Sequence, residues 1–217
     1  MMKYLVGSVA LAATMMVSVA QANDTAAPFV DVADSVEFNG WNSLVSSKVT
    51  IDQLVAGYDA NVAGSGDAVF TRIAGTAYPA GGGLYEWGGP FSTFTLTDAT
   101  VADSLTSVVF QSHSAPSGAG IGLYDVSLSY TIDGVDYLAA LMDNNAQASE
   151  YKYFSWDLSS VTGIDAIKVT FSTGAHANSF AFQLDQVVAA VPEPSEYALL
   201  LAGLAFVGFA ARRKQQA

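Results

Sequence analysis

Two kinds of group in this chain have the chemistry to hold a ligand: clustered side-chain oxygens and loop aromatics. Hard cations take clustered oxygens, and calcium is the one this chain is best stocked for. The candidates are Asp133 with Asp136, Asp143 with Asn144 and Asn145, and Asp185 near the end of the body. None follows the EF-hand loop, so a calcium site here depends on folding to gather its ligands. Solvated turn carboxylates are the plainer account of the same residues. A sugar asks for something else, an aromatic face against its apolar side and amides or carboxylates for its hydroxyls. Tyr85 and Trp87, with Glu86 between them, stand in the glycine-rich loop from Pro79 to Pro90, and Trp41 is the next candidate. A loop aromatic folded back over a sheet would look the same in sequence.

Catalytic chemistry finds little support. His113 and His176 stand among polar or small residues, in Gln111-Ser112-His113-Ser114 and Gly174-Ala175-His176-Ala177-Asn178, both read as loops. No G-x-S-x-G elbow presents a serine, and Gly64-Ser65-Gly66-Asp67 reads as a turn. Two distant histidines make a poor start for zinc. Gly81-Gly82-Gly83 is followed by neither a lysine nor a helix start, so it is no phosphate cradle. The expectation is a protein that is not an enzyme.

The elements that must position these residues are strands. Val126, Leu128, Tyr130 and Ile132 alternate with polar residues, Asp133-Gly134 marks a hairpin turn, and Tyr137 to Met142 reads as the returning strand. Phe154, Trp156 and Leu158 share one phase, which puts Trp156 in the core. Ile167, Val169 and Phe171, then Phe180, Phe182 and Leu184, repeat the pattern. Earlier strands are marked by Val36 and Phe38, by Val49 and Ile51, by Phe94 and Leu96, and by Leu105 to Gln111. Lys48 to Tyr58 has room for a turn or two of helix. Short strands at this spacing predict an all-β, antiparallel β-sandwich of jelly-roll topology over residues 23–190. The segment Phe180 to Asp185 resembles the closing strand of galactose-binding jelly rolls.

That body carries four basic residues against eighteen acidic ones, a net charge of −14. Nucleic acid and anionic lipid are excluded as partners by such a surface. Cysteine is absent, so nothing is stapled. Residues 1–22 read as a secretory signal peptide, with Lys3 ahead of an apolar run and Ala20 and Ala22 as the small residues at the cleavage site.

The C-terminus, residues 191–217, is a different kind of element. Pro192 and Pro194 hold Val191 to Pro194 extended. Ser195 can cap a helix, and Tyr197 to Ala211 holds no charge. Fifteen residues of helix span about 22 Å, short of the roughly 30 Å hydrocarbon core. Tyr197 at one interface and Arg212, Arg213 and Lys214 at the other help to cover the deficit. From Val191 to Lys214 the chain resembles the PEP-CTERM sorting signal of Gram-negative bacteria: V-P-E-P-S, an apolar span, then R-R-K. The resemblance implies recognition by an exosortase, with processing near Pro192, Glu193 and Pro194, in an organism that makes an extracellular polysaccharide matrix. The expected protein is therefore exported, anchored in the inner membrane by a transmembrane helix over residues 197–211, and after processing sent to the cell surface or matrix. Its body is expected to play a structural, exopolysaccharide-associated role. The alternative is a carbohydrate-binding module using the Tyr85–Trp87 loop, and a hydrolase is the third reading.

Overall fold

The structure, a computed structural model, describes residue 29, residues 32–89, 91–115, 122–145 and 150–189, and positions 201, 202 and 204. The expected signal cleavage at Ala20 and Ala22, the Pro192-Glu193-Pro194 motif and the Arg212, Arg213, Lys214 stop lie outside the described residues. So does the expected span over residues 197–211, apart from Leu201, Ala202 and Leu204, which are helical and exposed. Among the described residues no helix is long and apolar enough to cross a membrane.

The body is two antiparallel sheets packed face to face. One holds β10 (Leu141–Asn145), β11 (Tyr151–Asp157), β7 (Leu105–Ala115), β13 (Asn178–Val188), β5 (Leu84–Tyr85) and β4 (Tyr78–Pro79), in that order, with β1 (Ser35–Trp41) also on β13. β13 is long enough to take two partners along one edge: β5 opposite Asn178 and Ser179, and β1 opposite Phe182 to Val187. The other sheet runs β2 (Tyr58–Asp59), β3 (Val69–Ala74), β6 (Thr93–Asp98), β12 (Ala166–Thr173), β8 (Leu123–Ile132) and β9 (Val135–Leu138). The last strand thus closes against the first.

The period-two pattern turns one face of each sheet inward. Phe70, Phe94 and Phe171 from one sheet meet Phe110 and Phe182 from the other, all fully buried. Phe171 lies 4.9 Å from Phe182, 5.2 Å from Phe110, 5.5 Å from Phe94 and 6.3 Å from Phe70, ring centre to ring centre. Trp156 joins this core, as its strand phase requires.

Three local expectations are corrected. Val49 and Ile51 do not form a strand, because Thr50 caps the helix α1 (Ile51–Ala56): its hydroxyl accepts from Gln53 N while Gln53 Oε1 accepts from Thr50 N. That reciprocal box satisfies two backbone donors and outweighs the β preference of two β-branched residues. Tyr137 to Met142 is not one strand. Asp133 and Gly134 make the hairpin, both at positive φ, but the chain leaves β9 after Leu138 and crosses to the other sheet as β10. His113 is not in a loop; β7 runs on to Ala115 and carries it.

Phe171→Ala should cost about 3–5 kcal/mol, since it empties a site touched by four other rings. Urea unfolding followed by tryptophan fluorescence measures it; a loss below ~1 kcal/mol would contradict a core centred there.

Candidate functional site

The glycine-rich loop delivers its aromatics to the surface. Tyr85 is the last residue of β5, and its hydroxyl lies 2.9 Å from Nδ1 of His176. Trp87 stands 6.1 Å from Tyr85 and 6.0 Å from His176, edge-on to both, and is 67% exposed. Tyr78, paired with Tyr85 across β4 and β5, sets its ring edge-on at 6.0 Å. An aromatic surface beside a few polar groups is the usual make-up of a ligand site.

Glu86 fixes this arrangement from below. Its side chain is buried and accepts from Ser92 N at 2.9 Å, Thr76 Oγ1 at 3.2 Å and Thr173 Oγ1 at 3.4 Å. Its backbone is bonded on both sides to the neighbouring turn, Glu86 N to Ala177 O and His176 N to Glu86 O. His176 consequently sits at φ 58°, a left-handed conformation uncommon for a residue with a side chain. Glu86 therefore holds the loop and is not free to take a sugar hydroxyl.

Trp41 does not belong to this patch. It is 0% exposed, packs on Phe70 at 6.2 Å and donates from Nε1 to Tyr58 O. It shares the inward phase of β1 with Asn39, so its indole is core. Neither histidine meets a serine hydroxyl among the described residues. His113 stacks on Tyr151 at 4.3 Å and lies 3.8 Å from Glu150; burial lowers its pKa, with Glu150 opposing.

The calcium candidates are not gathered. Asp133 heads an exposed hairpin turn and Asp136 pairs with Lys168 at 2.9 Å, both on the six-stranded sheet. The hydroxyl of Thr131 and then Lys168 hold Asp136 below the usual carboxylate range. Asp143 and Asp185 lie on the other sheet, where Asp185 is buried and accepts from Ser35 Oγ and Gln183 Nε2. The structure instead assembles Glu37, Asp67 and Asp98, with one carboxylate oxygen of each within 4.8 Å of the others. Asn39 Nδ2 donates to Asp98 at 3.0 Å, Gln186 Nε2 donates to it at 2.8 Å, and Thr100 Oγ1 donates to Asp67 at 2.9 Å. Burial first, then the charge of Asp98, pushes the Glu37 carboxyl up to about 7 from its ordinary 4.5. Burial also raises Asp98, against hydrogen bonds from Thr100, Gln186 and Asn39. This is the donor set of a hard cation; with no cation, a proton on Glu37 relieves the same repulsion.

A family model for the PEP-CTERM protein-sorting motif matches residues 190–214. The chain carries a PEP-CTERM sorting motif. It implies export and sorting to the cell surface, with an exosortase as the processing partner. No curated protein matches the chain. Among solved structures, one described as carbohydrate-binding modules from the β-sandwich superfamily is 14% identical, with a TM-score of 0.33 over 56% of this chain and 52% of that one. Two variants of a family 29 carbohydrate-binding module are 12% and 13% identical, with TM-scores of 0.30 and 0.29. The first covers 59% of this chain and 99% of its own; the second covers 58% and 88%. The chain spans about half the length of the first of these structures.

Two outcomes follow from the geometry. Glu86→Ala should cost about 2 kcal/mol in urea unfolding, because it strands the buried Ser92 N–H; an unchanged midpoint would mean that the loop is held otherwise. Glu37 binds a proton more tightly in the folded state than in the unfolded one. Its stabilisation is complete below pH 4.5 and is lost as pH rises through about 7. The melting temperature should therefore fall between pH 5 and pH 8 in metal-free buffer. Glu37→Gln should flatten that slope and raise stability at the alkaline end, and a slope that persists in the variant would place the titration elsewhere.

Proposed function

We propose that this is an exported surface protein, processed at its tail by an exosortase, whose non-catalytic jelly-roll body holds exopolysaccharide through the Tyr85–Trp87–His176 patch. Before processing, the apolar run Tyr197 to Ala211 and the Arg212, Arg213, Lys214 stop keep the body at the outer side of the inner membrane. The observation that carries the glycan reading is Trp87, a large ring left two-thirds open yet fixed between two partners by a buried carboxylate beneath. Rigid aromatics of this kind bind at small entropic cost, because little side-chain freedom remains to be lost. A body charge of −14 directs the choice toward uncharged sugars.

Pulldown on the matrix polysaccharide of the producing cells tests the reading. The native chain should be retained, and Trp87→Ala should weaken retention about tenfold, the equivalent of ~1.4 kcal/mol. Equal retention of both would leave an inert matrix body in its place. Chains cut short before Tyr197 should reach the medium without surface attachment; unchanged attachment would remove the tail from the account.

A further inference from the structure

Building on that glycan reading, we propose that the patch is one end of a groove across the outer face of the seven-stranded sheet. Its ligand is then a linear, uncharged polysaccharide bound along several sugar rings, not a sugar held by a chain end.

Strand phase decides which side chains face outward. Phe110, Phe154, Phe182 and Leu84 lie in the core, so His113 on β7, Tyr151 and Tyr153 on β11, and Tyr85 on β5 project from the opposite face; Gln111 shares that phase but is buried. Register sets them on a slant across the sheet: Tyr151 lies opposite His113 and His113 opposite Ala181, while Tyr85 lies opposite Asn178, three residues back along β13. The rings fall into two groups, one around His113 and one around Tyr85. Tyr151 stacks on His113 at 4.3 Å, and His113 meets Phe180 at 4.6 Å. Phe180 borders Gly83, where an added Cβ would stand 3.2 Å from its ring, and Tyr85 with Tyr78 continues beyond. This aromatic surface crosses five strands, β11, β7, β13, β5 and β4, about 19 Å at the usual inter-strand spacing, the length of several linked sugar rings. Each of its aromatic side chains is at least partly exposed.

A polar group sits among the rings. Asn178, between Tyr85 and Phe180, is half-buried, and its Oδ1 has no hydrogen-bond partner. That oxygen is itself buried, and an orphaned buried acceptor is unfavourable, so a ligand hydroxyl that reached it would relieve the cost. Gly83 packs directly against it: a Cβ there would lie 2.7 Å from that oxygen, and one at Gly82 3.6 Å from Nδ2. Charge selects the ligand further. Burial, then Asp143 and Asp185, raise the Tyr153 hydroxyl on this face, and Glu150 stands beside His113, so an anionic polymer is repelled at the β11 end of the track.

The test is affinity electrophoresis of the full chain in mild detergent through native gels cast with an uncharged β-glucan, xylan or galactomannan. Calorimetry follows with oligosaccharides of the retarding polymer, from disaccharide to hexasaccharide. Trp87→Ala, Tyr151→Ala and Asn178→Ala are compared, with near-ultraviolet circular dichroism checking each fold. Affinity should rise about tenfold or more between the disaccharide and the longer ligands, and Tyr151→Ala and Asn178→Ala should each lower it by about tenfold for the long ligands alone. Should Tyr151→Ala not fold, Asn178→Ala decides. Disaccharide binding as tight as hexasaccharide binding, abolished by Trp87→Ala and indifferent to the other two, would overturn the groove and leave the patch. Retardation by no polymer would overturn both.

Discussion

Five phenylalanines, from five strands of two sheets, hold this body together. The protein has no cysteine, and among the described residues only Lys168–Asp136 and His113–Glu150 pair as ions, both partly exposed. Exposed pairs of that kind contribute little. Burial of apolar surface between the sheets must therefore supply most of the stability, and Phe171 is where it converges. Rings packed at centroid distances of 4.9 to 6.3 Å leave no room for either sheet to slide. A one-residue slip would exchange core and surface along a whole strand, so this packing also fixes the register of everything outside it.

The fixed register makes β13 the axis of the molecule. Its inward phase runs Phe182, Leu184, Gln186, from the aromatic core to a polar end where Gln186 reaches Asp98 and Thr100. Its first residues, Asn178 and Ser179, carry β5 and so position the loop with Tyr85 and Trp87. The aromatic patch and the carboxylate cluster therefore sit toward opposite ends of one strand. They differ in kind as well: one is open and nearly uncharged, the other gathers three acids, from exposed Asp67 to buried Asp98, whose repulsion the fold tolerates.

Much of the fold could be read in advance because period-two alternation is a strong, local signal. The strands around Leu128, Trp156, Val169 and Phe182 stand where their alternation places them, and Asp133-Gly134 turns as such a pair must. What could not be read depended on competition or on distance. Thr50 and Gln53 made a capping box where two β-branched residues pointed to a strand. Trp41 looked available because β1 is short and the chain around it polar, yet its phase with Asn39 turned it inward. The carboxylate triad joins residues some thirty positions apart, and the loop at Asp67 looked like an ordinary turn. One sign was present: Asp98 continues the inward phase of Phe94 and Leu96, and Gln186 continues that of Phe182 and Leu184. Polar side chains on an apolar phase announce a buried polar contact, though not its partners. Tyr85 and Trp87 were visible in the loop, while His176, ninety residues on, became their neighbour only through the backbone bonds to Glu86.

The strand that seats the aromatic patch at its start runs at its other end into residue 190 and the sorting tail. A pull on the chain that leaves β13, directed along that strand, would load it lengthwise. β13 is flanked by β7 on one side and by β1 and β5 on the other, all antiparallel. Drawing it out means shearing both ladders together, with their hydrogen bonds loaded in parallel, whereas peeling an edge strand breaks them one at a time. The topology that brings the last strand between earlier ones thus makes its lengthwise removal a shear of two ladders at once.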